Sequence, residues 1–337
     1  MNGKLKHNNH YVSESYLKMW TNNKGKLYVY NRIVPNEKFK IWREKYPSEI
    51  CKIDYLYIYV DDNGKLSDLF ENIFSISYEN DLNNILKKVD KLSFLNEQDI
   101  DILMKFIGAQ RFKTKKGYFR IHNNISNWMM EAQLIAINSI KHTSNAGKKQ
   151  SLLKNLPMKL SIIKEKREII IKNTYINGKN LWLFTLERIV NNLYKELKNK
   201  EWNYYIAPED YTWFTSDEPV IFASKEGIIY DDFEKGVKSA NLIIIVPLSP
   251  KVLLVSGQKN NGMIYEVKDI EEYKFYQKII CESSLDYIIS SKYDDSISEY
   301  TTRIIDQKKY LECINFPTEF KKQYEIIERQ FCELNTE

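Results

Sequence analysis

Eleven glycines and eight prolines among 337 residues are too few for a collagen-like, linker-dominated or low-complexity chain. Cysteine is scarcer still. Cys51, Cys281, Cys313 and Cys332 are far apart and form no CxxC pair, which argues against both a zinc knuckle and a disulfide framework. The longest strongly apolar runs, around Leu242 to Leu248 and Lys251 to Val255, fall far short of the roughly 20 residues that span a bilayer. No membrane helix is expected, and no apolar stretch follows the basic residues of MNGKLKHNNHYVSESY, so a secretory signal is not expected either. A cytoplasmic protein with reduced thiols is the expectation. Neither a repeat period nor a glycine-rich phosphate loop is found, which leaves a nucleotide-binding doubly wound fold without support.

What remains is a folded chain, 43% hydrophobic and 28% charged, rich in tyrosine and large enough for two domain-sized units. Its formal charge of +5 is small. The lysine, asparagine, isoleucine and tyrosine bias resembles AT-rich coding, so part of the basic surplus reflects composition. Locally the charge separates. Lys105, Arg111, Lys113, Lys115, Lys116 and Arg120 follow one another with no acid between them, whereas Glu209 to Gly236 holds eight acids against Lys225 and Lys235. Such opposed patches either steer an anionic ligand or neutralise each other internally.

The pattern changes along the chain. GKLYVYNR and IDYLYIYV predict strands near the amino terminus. Helices are predicted next. Leu66, Leu69, Phe70, Ile73, Leu82, Ile85, Leu86 and Val89 form a helical stripe, and Asn96 with Asp99 three residues on starts a second helix. A third runs from about Tyr118 through Ile121, Ile125, Trp128, Ala132 and Ile135, and another from about Asn180 to Lys198. After Glu201 the short apolar runs WNYYIA, WFTSDEPVIF, GIIYDD, NLIIIVPLS and KVLLVSG predict a sheet, with Pro247 and Pro250 at strand ends. A helix around Ile270 to Ser283, the strand DYIIS and a helical carboxyl terminus complete the pattern. The fold class is α+β, a helical amino-terminal and middle part (1–200) packed with a mainly antiparallel sheet part (201–337), expected as one bilobed unit.

Several residues could carry chemistry. His7 and His10 have the HxxH spacing of a metal pair, but no third histidine or cysteine is near in sequence, so His10 alone is the stronger candidate, as a proton donor or acceptor. Glu71 and Glu79, eight residues apart, point about 80° away from each other on an unbroken α-helix. Gln110 extends the stripe Ile100, Leu103, Ile107, which buries an amide that must find partners or orient a site. The cationic run after it either complements the helix dipole or contacts phosphate. Asp217, in Trp213-Phe214-Thr215-Ser216-Asp217-Glu218-Pro219-Val220, either caps a turn or acts as a rigid carboxylate for a metal or a base. Ser216 lacks a GxSxG elbow and His122 sits on a helix beside Arg120, which makes a serine nucleophile less attractive.

Taken in order, these residues resemble the bacterial domain of unknown function 4238 family. The resemblance rests on His10-Tyr11-Val12 with Tyr16-Leu17, GKLYVYNR, Glu79, Gln110 before a basic turn, Phe214-Thr215-Ser216-Asp217-x-Pro219-Val220 and Pro247-Leu248-Ser249-Pro250. It covers roughly residues 8 to 290. Lys113 stands where the resemblance implies arginine, so a point-charge ammonium replaces a planar, bidentate guanidinium there. The resemblance implies emphasis on His10, Glu79, Gln110, Lys113, Thr215, Ser216 and Asp217, and assigns no activity. That mix of imidazole, carboxylate, amide and cation suits a hydrolytic or phosphoryl-transfer centre.

The leading expectation is a hydrolase or nuclease-like effector acting on a phosphodiester or other anionic substrate, in a bacterial defence or toxin setting. His10, Glu79 and Asp217 would be catalytic, with Glu79 and Asp217 able to hold Mg or Mn, and Gln110, Arg111, Lys113, Thr215 and Ser216 would bind substrate. The alternative is a non-catalytic sensor or subunit that binds nucleic acid or a protein partner, or forms a homo-oligomer.

Overall fold

A computed structural model describes residues 8–60, 66–121, 142, 144–145, 147–148, 183, 186, 190–230, 237–257 and 261–315. His7, His122, Cys332, Ile125, Trp128, Ala132, Ile135, Asp231, Asp232 and Glu234 lie outside the described residues, as does the chain beyond residue 315.

The sheet-rich part is built on five strands. Trp202–Ile206, Ile221–Ser224, Leu242–Pro247, Val252–Ser256 and Ile264–Glu266 join so that Leu242–Pro247 lies between Ile221–Ser224 and Val252–Ser256, followed by Trp202–Ile206 and Ile264–Glu266. All pairings are antiparallel except that of Ile264–Glu266 with Trp202–Ile206. Alternate side chains point to opposite faces of a strand. On one face Phe222, Leu242, Ile244, Val246, Val252 and Leu254 meet the middle helices. On the other Ile221, Ala223, Ile243, Ile245, Leu253 and Val255 meet Tyr273, Tyr276, Ile279 and Ile280 of the helix Ile270–Ser283. Burial on both faces explains why NLIIIVP and KVLLVS read as continuous apolar runs, with no polar alternation.

A second sheet joins the two ends of the chain. Leu27–Asn31 pairs with Trp42–Lys45 on one side and Tyr287–Ser290 on the other, and Thr215–Ser216 completes the order. Strands from both sides of residue 200 thus share one sheet. The segment IDYLYIYV is split into Lys52–Asp54 and Tyr59–Val60, with Tyr55 between them at φ 63°. A non-glycine residue in that region breaks extended pairing.

The middle is helical. We label Asn8–His10 β1, Glu14–Leu17 α1, Leu69–Phe74 α2, Asn80–Asp90 α3 and Glu97–Lys113 α4. Between α2 and α3 the chain stays helical but adopts a π turn, Ser75–Glu79. The predicted start of α4 is observed as a capping box: Asn96 Oδ1 accepts from Asp99 N–H at 2.8 Å and Asp99 Oδ2 accepts from Asn96 N–H at 3.1 Å. After α4 the chain turns at once into helical residues 115–121, with the Thr114 hydroxyl accepting from Gly117 N–H at 3.1 Å.

Candidate functional site

The short strand β1 and helix α1 are held by polar side chains from distant parts of the chain. Asn9 Oδ1 accepts from Tyr57 N–H at 3.1 Å, and its Nδ2 donates to Glu71 Oε2 at 3.2 Å. Gln110 Nε2 donates to Tyr11 O at 2.6 Å, while its Oε1 accepts from Ser13 N–H at 3.4 Å. The Tyr16 hydroxyl donates to Pro247 O at 2.7 Å, so Thr215, 2.6 Å away, donates to it. Each bond satisfies a group that would cost free energy if buried alone. Gln110 and Thr215 are thereby placed as fasteners of the amino-terminal segment.

His10 faces a cluster of charge. Lys113, 1% exposed at the end of α4, donates to Glu79 Oε1 at 2.9 Å. Its ammonium lies 4.6 Å from the Phe74 ring centroid, 5.0 Å from Tyr57 and 5.6 Å from Tyr78, a cation surrounded by aromatic rings. Burial pulls the Lys113 pKa down, but Glu79, Tyr57 and Glu71 outweigh it and leave the ammonium held above its ordinary value. The Tyr57 hydroxyl lies 3.2 Å from Lys113 O and 3.5 Å from His10 O, tying β1 to the end of α4.

The π turn explains why two glutamates act on one lysine. On a regular α-helix Glu71 and Glu79 diverge by about 80°. A π turn takes one extra residue into the helix, so eight residues cover the angle of about seven and the divergence shrinks to roughly 20°. Both carboxylates consequently bear on Lys113.

His10 is the least settled member of this group. Its Nε2 is buried and has no hydrogen-bond partner among the described residues. Burial lowers its pKa, opposed by Glu14 and Glu79 and helped by Lys52 and Lys113. The imidazole is thus neutral at pH 7, the form that accepts a proton.

The next residue, Tyr11, points to a second cluster. Asp217 Oδ1 accepts from Leu285 N–H at 2.9 Å and Oδ2 from Asp286 N–H at 2.6 Å. Asp286 is in turn paired with Lys115 at 2.6 Å, and Glu218 with Arg120 at 3.2 Å. Burial, then the charges of Asp286 and Glu218, push the Asp217 carboxyl up to about 7 against the two N–H donors. Ser216 Oγ accepts from Glu218 N–H at 3.1 Å and closes the turn. Asp217 therefore works as a cap for the chain leaving the helix Ile270–Ser283.

The basic run is turned inward. Arg111 donates to Val220 O and Tyr230 O and lies over the Phe222 ring at 4.5 Å; Lys116 donates to Ser283 O at 2.8 Å. Of the residues singled out in the sequence, His10, Glu79 and Lys113 share one neighbourhood, and Thr215, Ser216 and Asp217 serve the turn and segment beside it. Among the described residues no group of three or more His, Cys, Asp or Glu side chains is placed to hold a metal ion. Asn9, Tyr57 and Tyr78 join the first cluster without a signal of their own in the sequence, although Tyr78 directly precedes Glu79.

Fold and site together define an α+β protein with a partly buried imidazole–carboxylate–ammonium cluster around its amino-terminal segment. The chain belongs to the DUF4238 family, described as protein of unknown function, whose model matches residues 8–294. No curated protein and no solved structure matches it. Among the described residues no helix is long and apolar enough to cross a membrane.

Proposed function

We propose that the protein is a hydrolase whose reaction centre is the cluster of His10, Glu79 and Lys113, acting on a phosphodiester or another anionic ester. The observation that carries the reading is the buried Nε2 of a neutral His10, which has no hydrogen-bond partner among the described residues. A neutral imidazole beside a fixed charge pair can take a proton from an attacking water or hydroxyl, a role worth typically about 10²–10⁴ in rate. Glu79, held by Lys113, supplies the field that stabilises the imidazolium once it forms. Lys113 supplies positive charge for a substrate that becomes more anionic during attack.

The test is turnover of bis(4-nitrophenyl) phosphate and of short single-stranded RNA and DNA, each with EDTA, Mg²⁺ or Mn²⁺. His10→Gln is expected to lower turnover by at least about 100-fold while its circular dichroism stays that of the wild type. A wild type inert towards every probe, or a variant at full rate, would overturn the reading. The added cations also decide whether Mg or Mn takes part.

The nucleic-acid-binding reading has less behind it, because the side chains of Arg111, Lys115 and Arg120, which such a surface would need exposed, are buried and engaged. Salt-sensitive binding of RNA or DNA without turnover would restore it. A protein partner or homo-oligomer is tested by light scattering across a range of concentrations. The cytoplasmic and defence setting rests on sequence character, and loss of bacterial growth on induction of the wild type but not of His10→Gln would support it.

A further inference from the structure

We infer that the Tyr78 hydroxyl is a hydrogen-bond donor to the substrate in this same centre, directed at the oxygen on which negative charge builds during attack. The inference rests on the hydrolase reading above. Tyr78 is 1% exposed, yet its hydroxyl has no hydrogen-bond partner among the described residues. Its ring packs against Phe74 at 6.4 Å and Phe106 at 6.1 Å between centroids, contacts that phenylalanine would make equally well. The oxygen is therefore the part that packing does not require. A buried hydroxyl without a partner costs free energy, so each one calls for a partner, and a bound ligand is one that can supply it.

Two further observations agree. Tyr78 lies within the π turn Ser75–Glu79, next to Glu79, with the Lys113 ammonium 5.6 Å from its ring centroid. A single π turn inside an α-helix is rare and recurs at functional sites. Burial, reinforced by Glu79 and Glu71, raises the Tyr78 pKa well above its ordinary value, which keeps the phenol protonated. Tyr78 is thus a donor, not a nucleophile, and its proton stays on it throughout. His10 takes the proton of water as the water oxygen bonds the phosphorus or carbonyl carbon, while Tyr78 and Lys113 face the anionic oxygen. The ester bond then breaks with its electron pair leaving on the departing oxygen, which takes the proton back from the His10 imidazolium or departs as the free anion. Two orphaned polar atoms, one a base and one a donor, both feel the Glu79 charge.

The experiment compares wild type, His10→Gln and Tyr78→Phe, reading thermal midpoint together with kcat and KM on bis(4-nitrophenyl) phosphate and, in parallel, 4-nitrophenyl acetate. These probes separate a phosphoryl from a carbonyl oxygen. Tyr78→Phe is expected to keep or raise the thermal midpoint while kcat falls about 100-fold, with a much smaller change in KM. Turnover lost in His10→Gln but kept in Tyr78→Phe overturns the inference alone. A lowered thermal midpoint in Tyr78→Phe also overturns it, because the hydroxyl would then have a structural partner. No turnover of either probe by the wild type overturns the hydrolase reading and the inference with it.

Discussion

Asp217 and Lys115 show how differently two neighbouring buried groups respond to the loss of water. Lys115 gains a carboxylate at 2.6 Å and stays charged; Asp217 gains only N–H donors among like charges and is pushed up to about 7. The folded state thus holds the Asp217 proton more tightly than the unfolded chain. Its contribution to stability is fully present below the unfolded value near 4 and is lost as pH rises through about 7. Asp217→Asn cannot ionise, so the unfolding free energy of the wild type minus that of the variant should fall as pH goes from 4.5 to 7.5, measured by urea titration. A flat or rising difference would show that the carboxyl is ionised throughout. Lys115→Met leaves Asp286 buried without its cation and should cost about 3–5 kcal/mol in the same assay. Gln110 was legible at this scale, because its helical spacing put an amide on a buried stripe and its two bonds to Tyr11 and Ser13 are what such an amide needs.

Elements set where these residues stand. Gly117 is required by the abrupt turn from α4 into residues 115–121: a Cβ there would lie 2.5 Å from Phe112 O. Gly117→Ala should therefore force the two helices apart at a cost of about 1–3 kcal/mol, seen as a lower urea midpoint, whereas relief by a small local shift would leave the midpoint unchanged. Caps and buried strands were readable because they depend on neighbours in sequence, as Asn96 with Asp99 and the run at 242–247 show. The π turn was not. Nothing in SISYE breaks a helical pattern or marks an inserted residue, so the alignment of Glu71 with Glu79 emerged only in three dimensions. The direction of the basic run was equally hidden. Lysine and arginine count as surface residues in any pattern, and partners more than 30 residues away, the carboxylates of Glu79, Asp286 and Glu218 and the carbonyls of Val220, Tyr230 and Ser283, turn them inward.

At the scale of the molecule, those pairings change the meaning of the small net charge. Glu218, one of the eight acids in the acidic stretch, is paired with Arg120 of the basic one, so the two are neutralised internally at this point. The same long-range logic governs the amino-terminal segment. Tyr11, Val12, Tyr16 and Leu17 belong to one apolar cluster with α3, α4 and one face of the five-stranded sheet, while Tyr16 reaches Thr215 and Pro247 across about 200 residues of sequence. The core on that face is shared between the helical and sheet-rich parts, and the core on the other face, although built mostly from the sheet-rich part, lies on the same five strands, so loss of one core exposes the other. Urea unfolding followed by tryptophan fluorescence and by far-ultraviolet circular dichroism should therefore show one coincident transition. Tyr16→Phe removes the hydroxyl that satisfies Pro247 O and Thr215, and should lower stability by about 1–3 kcal/mol without splitting that transition. Two separated transitions, with Tyr16→Phe moving only one of them, would mean that the parts on either side of residue 200 fold as independent units joined at the segment that carries His10.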